Sequence, residues 1–293
     1  MRVEDVGIPN FIRWLQPHLV TAGELAIKLQ PHVIAEGHLP EQKHSDSRFG
    51  SALTDADVLV ESFIGTLIYT TWTDVSFFAE EAELDRISPY FAPDAPHLVT
   101  LDPINGTLFY KDGHPFYEII LTVCRGNEII AAVDYVPTER KFFIAIQGSG
   151  VSTVDASSAR LGEWSPFHIP PPQAPETILV RVHESIVRER VARAGFRLLT
   201  KDMYPDRHPA SWLLKTQGFL SNALTGTLAG VIGADVQLID TGAIAFIARL
   251  AGGEDNHPRY DQVTRKSERL VMAASPDLYR RLAAALGDWL TVP

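Results

Sequence analysis

The stretch His97-Leu98-Val99-Thr100-Leu101-Asp102-Pro103-Ile104-Asn105-Gly106-Thr107 governs how the rest of the chain is read. Residues 97–101 have strand character and run up to an acidic side chain at Asp102. Pro103 and the Asn105-Gly106 pair then supply turn chemistry. Taken alone, this is a strand followed by a turn. Working outward, Val75–Ala79 is another short apolar run, and it too ends in acid, at Glu80-Glu81. Downstream, residues 117–124, 129–136 and 142–146 are β-rich, and Gly126-Asn127 and Pro137-Thr138 provide turns between them. Antiparallel hairpins follow from that spacing.

Upstream, the apolar residues Ile12, Leu15, Leu19, Ala22, Leu25, Ala26 and Leu29 recur at helical spacing over residues 11–33. A second helix is expected over 55–69, with Val58, Phe63, Ile64 and Leu67 on its buried side. Residues 157–176 read as a proline-rich connection containing Pro170-Pro171-Pro172. They separate an N-terminal α+β half (1–156) from a C-terminal half (177–293). The latter opens with a strand at 178–182, a helix at 184–194 and a strand at 196–200, and its last third reads as mostly helical. Helices mixed with strands and several hairpins predict an α+β layered sandwich, not a classical Rossmann sheet.

The 293 residues are 45% apolar and 21% charged, a balance that supports a packed globular protein. A net charge of −10 without a Lys/Arg-rich run argues against nucleic-acid binding, which needs a basic face. The single cysteine, Cys124, excludes an internal disulfide and sits in an apolar run as a buried thiol. The charged N-terminus lacks a signal-peptide core, and the apolar stretch 224–250 is broken by Asp235 and Asp240. The expectation is a cytoplasmic protein with no membrane partner. An acidic protein that handles an anionic substrate needs another source of positive charge, and a divalent cation supplies it.

Four acidic positions fall at the edges of expected elements: Asp57, Glu80-Glu81, Asp102 and Asp240. Each has a plain structural explanation. Asp57 suits a helix first turn, Asp240 an N-cap, and Asp102-Pro103-Ile104-Asn105-Gly106 a turn. Their joint order carries more. Asp102-Pro103-Ile104-Asn105-Gly106-Thr107 resembles the Asp-Pro-Ile/Leu-Asp-Gly-Thr signature of the inositol monophosphatase superfamily, with Asn105 the one departure. Thr54-Asp55-Ala56-Asp57 is similar to its Thr-x-x-Asp segment, and Ala79-Glu80-Glu81 to its Gly-Glu-Glu strand end. Ile239-Asp240-Thr241-Gly242-Ala243, followed by Ala251-Gly252-Gly253, resembles its Trp-Asp-x-Ala-Ala … Ala-Gly-Gly element. The likeness spans residue 11 to the C-terminus and is weakest over 151–212.

The resemblance implies the α-β-α-β-α sandwich shared with fructose-1,6-bisphosphatases, and magnesium-dependent, lithium-sensitive hydrolysis of a small phosphomonoester. Two or three Mg2+ ions are implied, bound through oxygens, as hard cations prefer. Glu80, Asp102 and the Ile104 carbonyl would hold the first; Asp102, position 105 and Asp240 would hold a second. Paired metals about 3.5–4 Å apart stabilise both the attacking and the leaving oxygen. A metal-activated water is the implied nucleophile, with Thr107 and Asp57 (and Glu80) as catalytic residues. Backbone N–H groups at Gly106 and Thr107 would receive the phosphate. A homodimer is implied as well.

Two departures bear on activity. Asn105 brings an amide oxygen without charge, so the second metal should bind more weakly, and Asn105→Asp is expected to raise activity or lower the Mg2+ requirement. The substrate segment is also altered: no Glu precedes Asp240 at the usual place, and Ser221-Asn222-Ala223 replaces smaller residues. Inositol phosphate, a sugar phosphate and a nucleotide 3′-phosphate remain open as substrates. The alternative reading is a catalytically impaired relative that binds a phosphorylated ligand or acts as an interaction subunit.

Overall fold

The computed structural model describes residues 1–36, 54–80, 87–126, 128–156, 162–174, 176–182, 184–200, 220–234, 238–257 and 269–290. Glu81, Asn127 and Asp235 lie outside the described residues. Two compact units divide the chain, Met1–Ser165 and Pro166–Pro293.

In the first unit, α1 (Ile8–Glu36) and α2 (Asp55–Thr71) accompany a mixed sheet of β1 (Val75–Ala79), β2 (His97–Asn105), β3 (Glu118–Arg125), β4 (Glu128–Val136), β5 (Lys141–Ile146), β6 (Gly150–Asp155) and the two-residue β7 (Ser165–Pro166). These strands lie in chain order; β1 and β2 are parallel, and β2 to β6 run antiparallel. α1 continues through Pro17 and Pro31. A proline inside a helix forfeits a hydrogen bond at about 3 kcal/mol. The opposing term is burial of Phe11, Ile12, Leu15, Leu19, Ala22 and Ala26 along one stripe, at about 1.5–3 kcal/mol for each large side chain.

α2 differs from expectation in its rotation. Its buried stripe is Ala56, Val60, Ile64 and Ile68, an i, i+4 row, whereas Val58, Phe63 and Leu67 are only partly covered. Residues four apart lie one above another on a helix, so this single row suffices to seat it on the sheet. The strands alternate cleanly. Val99, Leu101, Ile119, Leu121, Val123, Val133, Tyr135, Phe142 and Ile144 join the helix residues in one apolar core.

The opposite face is unusual. There Thr100 lies across from Thr122, Asp102 from Ile120, Ile120 from Asp134, and Asp134 from Phe143. A side-chain period of two assigns these to one face, and it carries buried acids.

The second unit holds a five-stranded sheet in the order β11 (Glu254–Asp255), β12 (Arg269–Ala273), β10 (Gly230–Ala234), β8 (Thr177–Arg181), β9 (Arg197–Thr200). Among the described residues, helices α4 (Ser185–Arg193), α5 (Ala243–Leu250) and α6 (Pro276–Leu286) accompany it. Ile178, Val180, Val187, Val191, Ile232, Val271, Leu278 and Leu282 form its core. The expected mostly helical last third is therefore corrected: it contributes three strands. A five-residue apolar run carries too few residues for its period to distinguish strand from helix. The α+β class expected from sequence is the class observed.

Candidate active site

Strand β2 does not stop at Asp102, as expected, but runs on to Asn105. Its pairing with β3 shifts between Asp102 and Asn105. Pro103 has no N–H to give the ladder, so the irregularity falls where a proline forces it. Past the shift, Asn105 lies opposite Glu118. Gly106 then adopts φ +93°, a left-handed conformation open to glycine at little cost, and the chain enters the short helix α3 (Thr107–Lys111). That turn is anchored from α1: the Tyr110 hydroxyl donates to the Ala26 carbonyl at 2.6 Å, and Gln30 Nε2 donates to the Tyr110 carbonyl at 2.9 Å. Burial pushes the Tyr110 pKa upward, so the phenol remains a donor.

Thr107 and Asp57, 50 residues apart, meet in this turn. The Thr107 hydroxyl lies 2.8 Å from the Ile104 carbonyl oxygen and 3.3 Å from Asp57 Oδ1, and its one proton serves these two acceptors in turn. Asp57 Oδ2 accepts from the Thr54 N–H at 2.8 Å and the Thr54 hydroxyl at 2.6 Å. Asp57 is thus both a helix-capping carboxylate and the partner of Thr107, and only 1% of it is exposed.

Glu80 and Asp102 are neighbours by strand register. Ala79 pairs with Leu101, and the Glu80 N–H donates to the Leu101 carbonyl at 3.0 Å, so the parallel pairing extends one residue beyond β1. Adjacent strands are about 4.8 Å apart, which sets the two carboxylates side by side on the acidic face. Asn105 Nδ2 donates to Glu118 Oε2 at 2.9 Å. Glu118 and Asp134 are fully buried on the same face.

In the second unit, Asp240 sits in a π-helical turn, Leu238–Gly242, ahead of α5. It is not that helix's N-cap; Gly242 is. Nη1 and Nη2 of Arg181 each lie 3.1 Å from Asp240 Oδ2, and Nη1 also donates to the Thr241 hydroxyl. Arg181 ends β8, whose parallel neighbour β10 leads towards that turn. Ser221, Asn222 and Ala223 belong to a single 3-10 turn, Leu220–Ala223. There the Asn222 carbonyl accepts from the Leu228 N–H at 3.0 Å.

Among the described residues, no three His, Cys, Asp or Glu side chains form a cluster able to hold a metal. The first unit nonetheless offers an oxygen set: two adjacent carboxylates (Glu80, Asp102), the Ile104 carbonyl and the Asn105 amide. One or two carboxylates completed by neutral oxygens and water are what Mg2+ accepts. The donor chemistry fits that ion.

The inositol monophosphatase family model matches residues 14–289. The chain belongs to the inositol monophosphatase family. Solved structures carry the same fold. The extragenic suppressor protein suhB of Bartonella henselae shares 18% identity at TM-score 0.65, with 92% of this chain and 95% of that one covered. An IMPase from Thermotoga maritima shares 15% at TM-score 0.64, covering 95% and 99%. A 2′AMP-bound SaIMPase-II shares 15% at TM-score 0.62, covering 94% and 93%. Identity this low speaks for the fold alone. No curated protein sequence matches the chain. Membership of the inositol monophosphatase family supports a phosphatase-type function. Among the described residues, no helix is long and apolar enough to cross a membrane. Two partners of the expected site residues escaped sequence reasoning, one in each unit: Glu118, which holds Asn105, and Arg181, which holds Asp240.

Proposed function

We propose that the protein hydrolyses a small phosphomonoester with the help of Mg2+. The observation that carries this is the convergence at the end of β2: Asp102 beside Glu80, and Thr107 within hydrogen-bond reach of Asp57. Glu80, Asp102 and the Ile104 carbonyl are the proposed holders of one cation; by the family resemblance, Asp102, Asn105 and Asp240 are the proposed ligands of a second. A bound cation supplies positive charge to phosphoryl oxygens and lowers the pKa of a water.

The remaining roles belong to this chain's own groups. Asp57, fixed through Oδ2 by Thr54, accepts from the Thr107 hydroxyl at Oδ1 and so can take a proton relayed through it. Gly106, bare of a side chain, and the N–H groups that open α3 receive phosphate oxygens. The turn Ser221-Asn222-Ala223 is proposed to contact the rest of the substrate. The candidate substrates are an inositol phosphate, a sugar phosphate and a nucleotide 3′-phosphate, and the relative described as 2′AMP-bound supports keeping nucleotides among them. Cytoplasmic residence and a homodimer complete the proposal, the latter checked by light scattering.

A second reading, ligand binding without turnover, draws on two contacts: Asn105 is held by Glu118 and Asp240 by Arg181. A phosphate-release screen over these monoesters with Mg2+ separates the readings, with Asp102→Asn as control. Turnover in the wild type, reduced at least about 100-fold in the control, is the expected result. Tight binding with no release in the wild type would establish the second reading instead.

A further inference from the structure

The position where this chain departs from its family is built into a pair. Asn105 Nδ2 donates to Glu118 Oε2 at 2.9 Å, and the two residues face each other across β2 and β3. A carboxylate only accepts, so the amide must turn its nitrogen, not its oxygen, toward Glu118. The amide is planar, and its Oδ1 therefore points away from Glu118. Glu118 is fully buried, which leaves it little freedom to release the amide.

The surroundings sharpen the argument. On the same sheet face, Asp134 is fully buried, and neither of its oxygens makes a hydrogen bond. Burial, then Glu118 and then Glu139 push its pKa upward. A further anion at position 105 would enter a region already rich in buried acid, about 3 Å from Glu118. An aspartate there would set a second acid against Glu118 in place of a donor, although the family signature has one.

We propose that Glu118 is a positioning residue for Asn105: the buried carboxylate holds the amide nitrogen and thereby fixes Oδ1 as the face presented to a divalent cation. Glu118 stands one strand away, behind the amide, and holds it from the nitrogen side. This rests on the metal-dependent reading above. It also predicts the opposite of the sequence-based expectation for Asn105→Asp. Alone, that change sets two carboxylates against each other. Combined with Glu118→Gln, it rebuilds the pair with donor and acceptor exchanged.

The test is a four-member cycle of wild type, N105D, E118Q and N105D/E118Q. Unfolding midpoints are measured after chelation, and Mg2+ affinity by titration calorimetry. Asn105→Asp should lower the metal-free midpoint by several degrees, and the double variant should regain most of it. Glu118→Gln, whose amide oxygen can still accept from Asn105, should keep the fold while weakening Mg2+ binding about 10-fold, the usual scale for a residue that orients a ligand. The double variant should bind Mg2+ within a few-fold of wild type. An N105D protein as stable as wild type with equal or tighter Mg2+ binding overturns the proposal. So does a double variant no better than the sum of its singles. If N105D fails to fold, E118Q and the double variant decide. A wild type that binds no Mg2+ overturns both the cation-directed role and the functional reading. In that case, additive metal-free midpoints would remove the pair as well, and non-additive ones would leave the pair without the cation.

Discussion

At the scale of the residue, the arginine on Asp240 has the most direct consequence. Arg181 and Asp240 are mostly covered, with 19% and 14% of their side chains exposed, so each would lose a well-matched partner if the other were removed. Hydrogen bonds to charged groups are worth about 1.5–3 kcal/mol. Arg181→Gln should therefore destabilise the metal-free protein by about 2 kcal/mol. Mg2+ should then restore more stability to the variant than to the wild type, since a cation can take the place of the lost guanidinium at Asp240. Thermal melts of both proteins with and without Mg2+ check this, and equal Mg2+ increments would sink it. The same residues show what a sequence discloses about a site. Asp57, Glu80 and Asp102 were singled out because each was expected at the edge of an element, and Thr107 because it completes the stretch that resembles the family signature. Glu118 was not. A glutamate in a strand is read as facing water unless the register is known, and here Pro103 shifts that register. Arg181 was not singled out, because nothing in the sequence pairs it with Asp240, 59 positions away.

At the scale of the element, β4 carries a cost in its centre. Asp134 lies between Ile120 of β3 and Phe143 of β5, fully buried, with its pKa pushed up by burial and by the acids Glu118 and Glu139. A carboxyl whose folded pKa is raised holds its proton more tightly in the native state than in the unfolded one. Stability then falls as pH climbs from the ordinary carboxyl value through the raised one. Asp134→Asn cannot ionise, so it should raise the melting temperature at neutral pH by the equivalent of about 1–3 kcal/mol. Near pH 4 it should give little or no gain. A pH series of melts reads the difference, and a gain that does not change with pH would count against burial of the charge as its cause. The strands that present this face were mostly visible beforehand, because alternating Val, Ile, Leu and Phe leave a period of two. β6 was not, nor was β10 in the second unit's sheet: glycines at 150, 230 and 233 weaken a strand pattern, and pairing with β5, β8 and β12 makes strands of these segments.

At the scale of the whole molecule, the chain carries a net charge of −10, and any salt will relieve some of its self-repulsion. An increase in stability on adding MgCl2 is therefore ambiguous by itself. Screening depends on ionic strength, with a Debye length of about 10 Å at 0.1 M, and is matched when NaCl replaces MgCl2 at equal ionic strength. Specific uptake behaves differently: a cation at about 100 times its dissociation constant adds about 2.7 kcal/mol to the folded state. For a protein of this size that corresponds to a rise of several degrees. The expected outcome is a higher melting temperature in MgCl2 than in matched NaCl, abolished by a chelator. In Asp102→Asn that difference should largely vanish while the response to NaCl persists, because one carboxylate barely alters the total charge but removes the ligand shared by both implied ions. If wild type and Asp102→Asn respond identically to the two salts, the acidic face acts only as diffuse charge. The carboxylates at the end of β2 would then have lost their claim to a metal.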